Sequence, residues 1–124
     1  MLDPRDRLAL AKRELEKAQV AAIDPVDWLD LALYSFFALE NAVVAAGELE
    51  GIPWKRTHES KIEVAEILHE RSGLPDVAEL LRELNELRKS ESYGEMRPPE
   101  RRSAEDIVGE VENYVDEIEQ RLSG

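Results

Sequence analysis

Apolar residues recur every three or four positions in five stretches of this chain, and no stretch alternates convincingly with the period of two expected of a half-buried strand. In the first stretch Leu8, Ala11, Leu15, Ala18 and Ala22 form one stripe while Lys12 and Glu16 face water, which predicts a helix near residues 4 to 22 with one buried face. The second, near residues 25 to 50, is apolar on most sides, with Trp28, Leu29, Leu31, Leu33, Phe36, Phe37, Leu39, Val43 and Val44. A helix of that kind is central in a bundle or shared between subunits. Its Ser35, Ala38, Ala42 and Ala45 make a narrow stripe of small residues, suited to a close helix crossing. Three further stripes follow: Ile62, Val64, Ala65, Ile67 and Leu68; then Val77, Leu80, Leu81, Leu84 and Leu87; then Ile107, Val111, Tyr114, Val115, Ile118 and Leu122.

Capping residues set the expected boundaries. Asp3-Pro4-x-Asp6 and Asp24-Pro25-x-Asp27 repeat one start signature: an N-cap acceptor, a proline at the first helical position and an acid in the first turn. Gly51-Ile-Pro53 stops the second helix, Thr57 caps a third that runs to about Ser72, and Gly73 closes it. Asp76-Val-Ala-Glu79 has the capping-box pattern for the fourth helix, which should end near Tyr93-Gly94, and Ser103-Ala-Glu-Asp106 opens the last. The expectation is an all-α, up-and-down bundle of four to five helices in one domain spanning residues 1 to 124.

A chain of 124 residues can bury about two-thirds of the surface its unfolded form exposes, so it needs no staple. The absence of cysteine rules out disulfides and thiolate metal sites and is compatible with a reducing cytoplasm. Charge continues through Met1 to Arg7 where a signal peptide would be apolar, and the run Leu31 to Ala46 is broken by Ser35, Glu40 and Asn41. A cytoplasmic protein without a membrane partner is expected. With 16 Lys and Arg against 28 Asp and Glu, a formal charge of -12 repels phosphate backbones, so nucleic acid is not an expected partner. The local exception, Arg97-Pro-Pro-Glu-Arg-Arg102, is read as a solvated loop.

The run Leu81-Arg-Glu-Leu-Asn-Glu-Leu-Arg-Lys-Ser-Glu-Ser-Tyr93-Gly94, the alanine-rich segment Tyr34 to Ala46 and the Thr57-His58 pair together resemble the HEPN family of small helical domains. The resemblance covers most of residues 25 to 122. It implies that in catalytic members an Arg, followed after four to six spacers by a His, meets its counterpart across a dimer interface and acts on RNA. Arg88 matches the Arg position, but four, five and six spacers later stand Tyr93, Gly94 and Glu95. Removing a 2′-hydroxyl proton near neutral pH suits a histidine, whereas a tyrosine with an ordinary pKa of about 10 is a poor base. Family-like nuclease activity is therefore not expected.

Arg88 shares a helix edge with Asn85 and Ser92 beside the apolar Leu81 and Leu84, and Tyr93 closes that edge. Two readings stay open: an interface edge, or a surface arginine paired with Glu91. Asn41, on a face with Tyr34 and Val44, is read as a structural contact before a ligand site. His58 is read as a capping or surface residue with Thr57, Glu59 or solvent as its partner. Glu66-Ile-Leu-His69 has di-iron spacing, but Lys55 stands where a second pair centred on His58 would need its acid, so no metal is expected. No P-loop or other nucleotide signature is present, and no cofactor is expected. Trp28, Trp54 and Tyr114 are read as core or interface aromatics, because no basic residues interleave with them.

These readings converge on a noncatalytic interaction or accessory module, homodimeric, with Asn41, Asn85, Arg88, Ser92 and Tyr93 as binding or interface candidates. The resemblance implies a separately encoded nucleotidyltransferase as a partner, in a toxin–antitoxin or defence-type system. The alternatives are an RNA-processing enzyme or toxin component using Arg88 with Tyr93, and an unrelated bundle that binds an apolar small molecule between its helices.

Overall fold

The computed structural model of the protein describes residues 2–90 and 98–123. Among the described residues there are five helices: α1 (Pro4–Ala21), α2 (Trp28–Leu49), α3 (His58–Ser72), α4 (Ala78–Ser90) and α5 (Ala104–Ser123). No strand occurs among the described residues, and the fold is the expected all-α bundle. The expected end of the fourth helix near Tyr93 and Gly94 lies outside the described residues.

Most caps form as their residues dictate. Asp3 accepts the Asp6 backbone N–H at 2.9 Å and Asp6 answers with the Asp3 N–H at 3.2 Å, a complete capping box at α1. Ser103 and Asp106 make the same reciprocal pair at α5, with distances of 3.0 and 3.1 Å, so the shorter acid serves where the box prefers Glu. Thr57 caps α3 through Ser60 at 3.1 Å, and Gly73 ends it in the left-handed region at φ 69°.

Two start signatures depart from expectation. At α4, which begins at Ala78, Asp76 accepts the Ala78 N–H at 3.1 Å instead of closing a reciprocal box with Glu79. Asp24-Pro25 lies in the turn between α1 and α2, and α2 begins only at Trp28. The reason is a competing cap three residues on: the Asp27 side chain accepts the Asp30 N–H at 3.1 Å, while the Asp27 N–H bonds the Ala21 carbonyl at 2.9 Å and ties the turn to the end of α1.

α2 is the axis of the bundle, packing against each of the other four helices. Its small-residue stripe is wholly enclosed, with Ser35, Ala38, Ala42 and Ala45 all buried, and its most extensive contact is with α1. Gly47 lets α3 approach, since a Cβ there would stand 2.8 Å from Val64 Cγ1. By length and composition α2 could cross a membrane, yet 67% of its most apolar window is buried inside the bundle, which accounts for its apolar character. One chain thus covers most of the α2 perimeter, although Leu33, Tyr34 and Phe37 stay half-exposed.

Candidate polar site at the meeting of helices two, three and four

Glu40 interrupts the apolar face of α2 and is 6% exposed, so its carboxylate needs partners. α3 supplies both: His58 Nδ1 lies 2.6 Å from one oxygen, and Lys61 Nζ lies 3.5 Å from the other. The spacing of His58 and Lys61, three residues apart in the first turn of α3, aims both at the same carboxylate.

α4 closes the cluster from the other side. Arg88 Nη2 lies 3.3 Å from His58 Nε2 and 2.8 Å from Asn85 Oδ1, and its guanidinium carbon stands 4.9 Å from the centre of the Phe36 ring. Phe36 also meets the His58 ring edge-on at 5.0 Å. The tautomer follows from these partners. A guanidinium can only donate, so Nε2 of His58 accepts, and Nδ1 carries the proton donated to Glu40. His58 therefore links Glu40 to Arg88, with its ring oriented from both ends.

Arg88 combines two properties. No carboxylate pairs with it among the described residues, as is also true of exposed cations such as Arg5, Arg13 and Lys89, but Arg88 is half-buried. Its Nε is buried and has no hydrogen-bond partner. Among the described residues this half-buried cation is held by neutral acceptors and a ring face.

The candidate residues separate on this geometry. Asn85 and Arg88 come together; Ser92 and Tyr93 lie outside the described residues, as does Glu91, the proposed surface partner of Arg88. Asn41 is half-buried and donates its amide to the Phe37 carbonyl at 3.1 Å, a local contact one turn back along α2. His58 is neither a cap nor a solvent-only residue: its partners are Glu40 and Arg88, 18 and 30 residues away. Glu40 and Lys61 were not singled out by sequence reasoning, although a lone acid in the apolar α2 was a usable signal for Glu40.

Other sequence features find different uses. Glu66 accepts from Arg82 at 3.2 Å, and His69 Nδ1 donates to the Leu74 carbonyl at 2.8 Å, so this pair serves helix packing. Arg102 joins α4 to α5 through Glu83, and through Glu110 at 3.1 Å. Burial alone would lower its pKa, but hydrogen bonding to Glu83 and the charges of Glu110, Glu83 and Glu79 outweigh that and raise it. Trp54 is half-buried beneath two cations from elsewhere in the chain, Arg7 at 5.0 Å and Lys61 at 5.9 Å, an arrangement invisible in the local sequence. Two open surface depressions, of about 920 and 640 Å³, lie by the start of α5 and along α4, and neither is lined by His58 or Arg88.

Comparison with known proteins agrees with this architecture. No curated protein and no solved structure matches the chain. A family model described as HEPN domain matches residues 4–121, nearly its whole length. The chain belongs to the HEPN family.

Proposed function

We propose that this chain is a noncatalytic interaction or accessory module of the HEPN family, homodimeric, whose contact edge runs along α4 through Asn85 and Arg88. The observation that carries the reading is the state of Arg88: a half-buried guanidinium, oriented by Asn85, His58 and Phe36, with no carboxylate partner among the described residues. Such a group offers a partner a strong, directional donor without exposing the core. The half-exposed Leu33, Tyr34 and Phe37 of α2 supply apolar area for the same association. In this reading the partner outside the dimer is a nucleotidyltransferase, in a toxin–antitoxin or defence-type system, which rests on family resemblance.

A second reading, RNA processing, is supported by one observation. The imidazole missing from the Arg motif in sequence is supplied in space by His58, with Nε2 facing Arg88 and Nδ1 held by Glu40. Against it stand the net charge of -12 and a His58 lone pair already engaged by Arg88. The test is incubation of the purified protein with single-stranded RNA and transfer RNA without metal. The module reading expects intact RNA; cleavage that disappears in both His58→Ala and Arg88→Ala establishes the second reading instead.

A further inference from the structure

We infer that the corner between α1 and α2, with the start of α5 as its second wall, is a docking groove for a basic segment of a partner protein that carries an apolar anchor. Val20 and Ile23 are the two most exposed large apolar side chains among the described residues, at 68% and 66%. They are not the edge of the core stripe: α1 buries Leu8, Ala11, Leu15 and Ala18, and Val20 lies two residues, about 200° of helix turn, beyond Ala18. A β-branched residue at a solvent-facing helix position lowers helix propensity and adds no packing, so the fold itself gains nothing from Val20 there. Ile23 lines the depression of about 920 Å³ together with Ala22, Val26, Trp28 and Pro99. Its N–H bonds the Val20 carbonyl at 3.2 Å, one turn back.

Both walls are set before a partner arrives. The Asp27 N–H ties the turn to the Ala21 carbonyl at 2.9 Å, and the reciprocal pair of Ser103 and Asp106 fixes the first turn of α5. A preformed groove costs little ordering on binding. Charge then selects the occupant. Asp24, Glu100 and Glu105 line the groove and form no ion pair among the described residues. Of the two lining arginines, Arg102 is held by Glu83 and Glu110, which leaves Arg101 opposite three acids. Lysine or arginine side chains of the occupant meet that rim, and an apolar side chain between them covers Ile23 and Trp28. A second copy of this chain brings the same acids and a charge of -12 to the face, and an anionic lipid surface is repelled in the same way, so neither fits. The groove shares no lining residue with the Arg88 edge, and either surface can fail without the other.

The probe is a synthetic amphipathic peptide of lysine and leucine, titrated into the full chain and followed by NMR at the Val20 and Ile23 methyl groups and the Trp28 indole N–H. Saturable shifts confined to this corner are expected, with an affinity that falls as salt rises. Ile23→Ser should weaken binding at least about tenfold, and Val20→Ser should also weaken it; both side chains are about two-thirds exposed, so the fold tolerates the changes. Glu100→Gln combined with Glu105→Gln should weaken binding and flatten its salt dependence. Leu49→Ser, at the far end of α2 and 42% exposed, should leave it unchanged. Peptides with glutamate in place of lysine, or with lysine alone, should not bind. The absence of saturable shifts, undiminished binding in both serine variants of the corner, or equal affinity for either control peptide would each overturn the inference. Val20 and Ile23 shifts that follow protein concentration alone would assign the face to a second copy, and shifts produced as readily by anionic vesicles would assign it to a membrane; either result also overturns it.

Discussion

His58 Nε2 lies 3.3 Å from Arg88 Nη2 and thereby joins the first turn of α3 to the last turn of α4. Because Nδ1 of the same ring holds the buried Glu40 of α2, one imidazole ties three helices together. Among the described residues, truncating it leaves a buried carboxylate with only Lys61, and Arg88 with only Asn85 and Phe36. His58→Ala should therefore destabilise the fold by about 1–3 kcal/mol, read from the urea midpoint at an unchanged slope. A loss below about 0.5 kcal/mol would mean that the ring is ordinary surface.

The helices were legible in the sequence because their signals are local: stripes recur within a turn or two, and caps act across three residues. The misplaced start of α2 has the same origin. Asp24-Pro25 and Asp27 both carry start signals, and only the tie from the Asp27 N–H to the Ala21 carbonyl decides between them. The polar cluster was hidden for the opposite reason. Its contacts span 18 and 30 residues, so no helical spacing relates Glu40 to His58 or His58 to Arg88. Arg88 and Asn85 could be paired as helix neighbours; the histidine beside them could not.

Gly47 invites substitution on helix propensity alone, because Ala is favoured over Gly by about 1 kcal/mol in a helix interior. Its position reverses the sign. The added Cβ would stand 2.8 Å from Cγ1 of Val64, a branched side chain only 2% exposed and unable to swing aside. Gly47→Ala should thus lower stability by about 1–3 kcal/mol, and the partner change Val64→Ala should relieve the clash in a double-mutant cycle.

Tyr114 is enclosed in the core, and its hydroxyl has no hydrogen-bond partner among the described residues. Burial is the main cause that pushes its pKa well above the ordinary value near 10. Above that value the unfolded chain releases the phenolic proton while the folded chain keeps it, so the folded state binds more protons and stability falls as pH rises. The expected loss is up to about 1.4 kcal/mol per pH unit in that alkaline window. Tyr114→Phe should remove this part of the alkaline slope, and at neutral pH it should be neutral or mildly stabilising, since it deletes a polar atom that makes no bond. Parallel thermal unfolding of the two proteins from neutral to alkaline pH checks both expectations; a strongly destabilised Tyr114→Phe would show that the hydroxyl has a partner.

The central claim is that the Arg88 edge holds an association together, and sedimentation equilibrium of the parent protein and Arg88→Ala tests it most directly. The account predicts a dimer for the parent at about tens of micromolar. It predicts a dissociation constant raised about thirtyfold in the variant, equivalent to about 2 kcal/mol, with the helical circular dichroism unchanged. A parent protein that is monomeric at that concentration, or a variant that dimerises equally well, would contradict it.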